Sequence, residues 1–95
     1  MAYHNPAVVH RFMEKLNLDE REASLRFNDT KRFLYLCGIR KSGEPILAPS
    51  EATDEGWHQF ILFTKDYQDF CFSHFGRFIH HRLRRPEDPK GDTHL

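Results

Sequence analysis

The chain has no hydrophobic run long enough to cross a membrane, and it has no excess of charge of either sign. Its hydrophobic runs, such as residues 33–37 and 60–63, fall far below the roughly 18 residues that a transmembrane helix needs. With 14 basic and 14 acidic side chains the formal net charge is zero, so no global field draws the protein to nucleic acid or to a membrane. The five glycines are scattered singly, which excludes a glycine-rich phosphate loop.

Cysteine is also scarce, since Cys37 and Cys71 are the only two. The first residues, Met1 to Pro6, lack both the basic and the apolar part of a secretory signal. We therefore expect a cytoplasmic setting in which the two thiols stay reduced and do not form a disulfide.

What the chain does have is the composition of one folded domain. Of its 95 residues, 39% are hydrophobic and 29% are charged, which is typical of a globular protein. Aromatic residues make up 14%, and their large rings bury enough area to help so short a chain form a core.

Helical periodicity predicts two helices in the first half of the chain. The first begins after Asn5, a good N-cap, has Pro6 in its first position and runs to about Leu16. The second begins after Asp19, and Gly38 is expected to stop it. Because residues 28–30 are poor helix formers, the sequence leaves open whether residues 20–37 form one helix or two.

Two more helices are predicted in the second half. Ser50 caps the third, which carries its buried residues from Trp57 to Leu62, and Thr64 caps the fourth, which ends at Gly76. The prediction is an all-α fold: a single small four-helix domain over residues 1–82, with an antiparallel C-terminal helix pair. Residues 83–95 are expected to form a basic and then polar disordered tail.

Side chains that can bind metals concentrate on the last two helices. Asp54 and His58 are one helical turn apart, so we expect Asp54 to contact His58, and Cys71 and His74 form a second such pair. His80 and His81 follow Gly76 and can fold back over these helices. Carboxylate, imidazole and thiolate together suit zinc, or iron if sulfur is not used.

A structural interpretation of the same residues needs no metal. Asp54 can cap the helix and orient His58 through a hydrogen bond, and Cys71 can pack as a small apolar side chain. Cysteine catalysis is disfavoured, because the flanking Phe70 and Phe72 indicate that Cys71 is buried.

Charge is unevenly placed along the chain. Residues 44–69 hold six acids against Lys65 alone, whereas residues 77–85 hold four arginines and no acid. These arginines are candidate anion contacts, although a solvated arm or a contact with a partner is the simpler interpretation. Nucleic acid binding is therefore not expected; the four residues are Arg77, Arg82, Arg84 and Arg85.

A Trp-His pair, a Tyr-x-x-x-Cys step and a Gly-to-His step fall within residues 30–82. This stretch resembles the glycine-rich domain-containing protein-like family, in its small stand-alone bacterial members. The resemblance favours His81 over His74 and His80, and it implies neither RNA binding nor a defined reaction. The positions that it implies are Asp54, Trp57, His58, Tyr67, Cys71, Gly76 and His81.

These observations give three function hypotheses. The first is a small metal-binding or protein-interaction module, in which a cluster holds zinc or iron or locks the helix pair through hydrogen bonds. The predicted cluster is Asp54, His58, Cys71 and His81, supported by Trp57, Tyr67 and Gly76. The second is a small metal-dependent hydrolase with Asp54 as general base, and the third is a phosphate or nucleic-acid adaptor that uses the arginine arm. We expect a protein partner, with a homodimer left open, and no membrane.

Overall fold

The computed structural model describes residues 3–41, 43–44, 47–81 and 93–94. This part of the chain forms four helices, and Leu47–Ala48 (β1) and Thr93–His94 (β2) make a two-residue parallel pairing. The all-α fold is therefore confirmed. The helices are α1 (Pro6–Leu16), α2 (Glu20–Ile39), α3 (Glu51–Ile61) and α4 (Thr64–Phe75).

Local capping fixes the first three helix starts. The Asn5 side chain accepts a hydrogen bond from the Val8 N–H, and Pro6 opens α1 as predicted. At α2, Asp19 accepts from the Glu22 N–H at 2.8 Å, and the Glu22 carboxylate accepts from the Asp19 N–H at 3.0 Å, so two free N–H groups are satisfied together. Ser50 caps α3 by accepting a hydrogen bond from the Thr53 N–H at 3.2 Å.

The second helix is continuous through residues 28–30, which settles the question of one helix or two. Thr30 is fully buried, and its hydroxyl donates to the Arg26 carbonyl at 3.0 Å. This bond satisfies the hydroxyl within the helix itself. Burial of Thr30 against the core therefore outweighs its weak helix propensity.

Gly38 does not stop α2, so that prediction was wrong. The helix continues through it to Ile39, and Arg40 is the C-cap. A Cβ atom built on Gly38 would lie 2.5 Å from the ring of Phe75. The absence of a side chain therefore lets α2 approach α4 closely.

Aromatic rings form the centre of the core. Phe60 is fully buried, and its ring lies 5.1 Å from Phe27, 5.1 Å from Tyr67 and 5.3 Å from Phe70, all edge to face. Such edge-to-face pairs add to the stabilisation from burial alone. Of the α3 residues predicted to be buried, Trp57 and Phe60 are buried and Ile61 is half-buried, whereas Leu62 is 50% exposed.

The segments after α4 are only partly described. Most of the predicted tail, residues 83–92 and 95, lies outside the described residues, and Thr93–His94 pairs with β1. Among the helices that the structure does describe, none combines the length and the apolar character needed to span a membrane.

Candidate functional site

A buried tyrosine fastens the segment after α4 to the helix pair. The Tyr67 hydroxyl donates to the Ile79 carbonyl and accepts a hydrogen bond from Trp57 Nε1 at 2.9 Å. Tyr67 is fully buried, and burial raises the pKa of its phenol. The phenol therefore stays protonated and keeps the hydrogen that it donates.

A second contact ties the same segment to α3. His81 Nε2 lies 2.8 Å from Asp54 Oδ1, and the His81 ring packs edge to face on Trp57 with 4.4 Å between ring centroids. The His81 side chain is only 14% exposed, whereas that of Asp54 is 51% exposed. Because Asp54 lies in the first turn of α3 and His81 follows α4, this contact joins the ends that an antiparallel helix pair brings together.

His58 stands at the edge of this arrangement. Its ring centroid lies 6.2 Å from that of His81, and the side chain is exposed. The expected contact between Asp54 and His58 is not among the hydrogen bonds of the described residues, because the Asp54 carboxylate turns to His81 instead. The structure thus brings His81 to Asp54 and leaves His58 beside them.

Cys71 lies apart from the three polar side chains. It is fully buried on α4, next to the Tyr67 hydroxyl and the Ile79 backbone. Burial raises the pKa of its thiol, which disfavours the thiolate that a metal needs. Within the described ranges, no group of three or more His, Cys, Asp and Glu side chains is placed to hold an ion. The zinc or iron prediction stays a prediction.

The remaining predicted residues are Gly76 and the four arginines. Gly76 ends α4 in the left-handed conformation, with φ of 70°. Arg77 extends from the following segment back to α2, where its Nη2 donates to the Cys37 carbonyl at 2.9 Å. Arg82, Arg84 and Arg85 lie outside the described residues.

The similarity to a known protein family extends over almost the whole chain. A family model described as UCP032817-like matches residues 2–86. The chain belongs to the UCP032817-like family. No curated protein and no solved structure matches it.

The family assignment corrects the resemblance inferred from the sequence. The UCP032817-like family is uncharacterised and is not the glycine-rich domain-containing protein-like family. The residues that carried that resemblance are largely those of the buried network, including Trp57, Tyr67 and His81. These residues have structural roles in the packing and hydrogen bonding of the helix pair.

Sequence reasoning missed an exposed apolar surface on this UCP032817-like chain. Tyr35 and Ile39 on α2 are 47% and 54% exposed, and Phe72 on α4 is 51% exposed. Tyr35 lies 6.5 Å, ring to ring, from the half-buried Phe75. The sequence signal was the i, i+4 spacing of Tyr35 and Ile39 outside the buried stripe of α2.

Sequence reasoning also missed a buried lysine. Lys31 is only 4% exposed, and its ammonium donates to the Tyr3 carbonyl. In the sequence it stands four residues after Phe27 and three before Leu34, so it falls within the apolar stripe of α2. A charged residue at such a position was the signal that could have identified it.

Proposed function

We propose that this protein is a protein-interaction module whose contact surface is the apolar patch between α2 and α4. We call this surface the α2–α4 patch and define it by Tyr35, Ile39, Phe72 and Phe75. The observation that carries the proposal is that three of these four large side chains are about half exposed. A cluster of exposed apolar side chains on a small monomer is typical of a binding surface.

Helical spacing and one ring contact support treating the four residues as one surface. Tyr35 and Ile39 are one turn apart on α2, and Phe72 and Phe75 are one turn apart on α4. The Tyr35 and Phe75 rings meet across the two helices, and the Phe75 ring packs directly against Gly38.

Positive charge lies at one edge of the patch. Burial raises the pKa of the Cys37 thiol to about 11, and Arg40 and Arg77 both lie close enough to oppose that rise. On the α4 side, Asp69 is already paired with Lys65 at 3.4 Å. Charge complementarity therefore favours a partner whose apolar residues are flanked by carboxylates.

The hydrogen-bond network around Tyr67 and His81 supports this surface indirectly. By fastening residues 78–81 to α3 and α4, it holds the segment that begins with Arg77. In this proposal the Asp54–His81 and Trp57–Tyr67–Ile79 hydrogen bonds lock the helix pair, and their role is to position the basic edge of the patch. The alternative in which it holds a metal has no ligand set among the described residues.

Two synthetic helical peptides of about four turns test the proposal. Both carry the same leucine face, one flanked by glutamates and the other by lysines. Fluorescence anisotropy should show that the glutamate peptide binds about tenfold more tightly. Ile39→Ser and Arg77→Gln should each weaken its binding, because the first removes an apolar contact and the second a charge.

Leu25 provides a matched control. It is 52% exposed, close to the 54% of Ile39, but it lies 14 residues earlier on α2, about 21 Å away. Leu25→Ser should leave binding unchanged. Equal binding of the two peptides, or an equal loss in Leu25→Ser and Ile39→Ser, would contradict the proposal. A dimer in sedimentation that Ile39→Ser dissociates would assign the patch to self-association instead.

A further inference from the structure

A groove runs between α1 and α2, on residues that the α2–α4 patch does not include. Its volume is about 460 Å³, and Tyr3 and Asn5 line one end of it. Small organic ligands commonly bind in clefts of about 300–1,000 Å³. The groove is therefore large enough for a small molecule.

Lys31 lines this groove as a buried cation without an acidic partner. Its Nζ donates to the Tyr3 carbonyl and lies 4.7 Å from the centre of the Phe27 ring. None of the ion pairs formed by the described residues includes it. Buried charges are normally paired, and an ammonium has three N–H donors, of which the Tyr3 carbonyl uses one.

The other titratable side chains that line the groove are those of Tyr3, His4, His10 and Glu20. Glu20 also lines it but stands eleven residues earlier on α2, about 16 Å along the helix, too far to pair with the ammonium. His4 and His10 line it from the side of α1. The groove thus has a positive end at Lys31 and a negative end at Glu20.

The wall between these ends is apolar on the α1 side, where Val9 and Met13 face the groove. We infer that the groove binds a small organic carboxylate, with its anionic group on the Lys31 ammonium and its apolar body along Val9 and Met13. A single lysine ammonium is a point charge, which one carboxylate matches. Burial lowers the pKa of Lys31, and a bound carboxylate would favour the charged ammonium again.

Three probes with one body and different charges test the inference: naphthoate, naphthylmethanol and naphthylmethylammonium. Each is titrated into the full chain at neutral pH, and amide chemical shifts locate its binding. Naphthoate should bind about tenfold more tightly than the alcohol and shift the amides of Ser24, Phe27 and Asn28, which line the groove. The ammonium probe should bind most weakly.

Variants separate the role of the charge from that of the groove. Lys31→Met should remove the preference for naphthoate while keeping the binding of the alcohol, and Lys15→Met, at an exposed lysine of α1 outside the groove, should change neither. Ser24→Trp keeps the ammonium but fills the groove, and it should abolish binding of both. The inference is overturned if naphthoate fails to bind, if it binds no more tightly than the alcohol, or if Ser24→Trp leaves its binding intact.

Discussion

Removing one oxygen atom, in Tyr67→Phe, should destabilise the whole C-terminal half of the domain. The Tyr67 hydroxyl is the shared partner of Trp57 Nε1 and the Ile79 carbonyl. The phenylalanine ring occupies the same space, so the change creates no large cavity. Its effect is to leave a buried donor and a buried acceptor without partners.

The magnitude follows from those two orphaned groups. A buried polar group that loses its partner costs about 1–3 kcal/mol, so the two together should cost about 2–4 kcal/mol if the structure relaxes partly. This is a large fraction of the roughly 5–15 kcal/mol that stabilises a typical domain. Because Ile79 lies in the segment that follows Arg77, the change should also weaken binding of the glutamate peptide.

Urea unfolding followed by circular dichroism measures the loss, and Tyr35→Phe is the matched control. Tyr35 is 47% exposed, and none of the side-chain hydrogen bonds of the described residues involves its hydroxyl, so the same chemical change there should alter stability by less than about 0.5 kcal/mol. In a Trp57→Phe background, Tyr67→Phe should cost about 1 kcal/mol less, because the indole donor is already gone. Equal losses in Tyr67→Phe and Tyr35→Phe would refute the reasoning.

Three further outcomes follow from the structure. Gly56→Ala should lower the free energy of unfolding by about 1–2 kcal/mol despite the better helix propensity of alanine, because the alanine Cβ would lie 2.4 Å from Thr30 Oγ1. A smaller loss in a Thr30→Ala background would support this clash. A gain in stability in Gly56→Ala would contradict it. The Cys37 thiol, whose pKa burial raises to about 11 from 9.0, should react with iodoacetamide about a hundredfold more slowly than in urea; equal rates would show an accessible thiolate. Burial lowers the pKa of Lys31 from 10.5, so at a pH between its folded-state pKa and 10.5 the unfolded chain binds more protons than the folded chain. The stability of the wild type relative to Lys31→Met should therefore rise with pH across that window. A stability difference that does not change with pH would argue against a buried Lys31 ammonium.

Burial patterns were only partly predictable from the sequence. The sequence predicted that Trp57 and Phe60 are buried, because they fall on one stripe of α3. It also placed Leu62 in the buried part of that helix, yet Leu62 is half exposed. The reason is that α3 ends at Ile61, so Leu62 already belongs to the short link before α4.

The candidate site was also only partly predictable from the sequence. Sequence spacing correctly put Asp54 and His58 on one helix, but a spacing of one turn only permits a contact. The Asp54 carboxylate bonds His81, 27 residues later, because the Tyr67 hydroxyl holds the intervening segment against the helix pair. Which of two histidines takes the carboxylate is thus decided by a buried bond elsewhere in the chain.

Local sequence specifies where α1, α2 and α3 begin, because Asn5, Asp19 and Ser50 cap N–H groups only three residues away. Contacts between distant residues instead determine that α2 passes through Gly38 and that the charge of Lys31 is buried. Phe75 approaches Gly38, and the Tyr3 carbonyl reaches Lys31. These partners are 37 and 28 residues away in the sequence, and no local pattern specifies which distant group will pack against a given position.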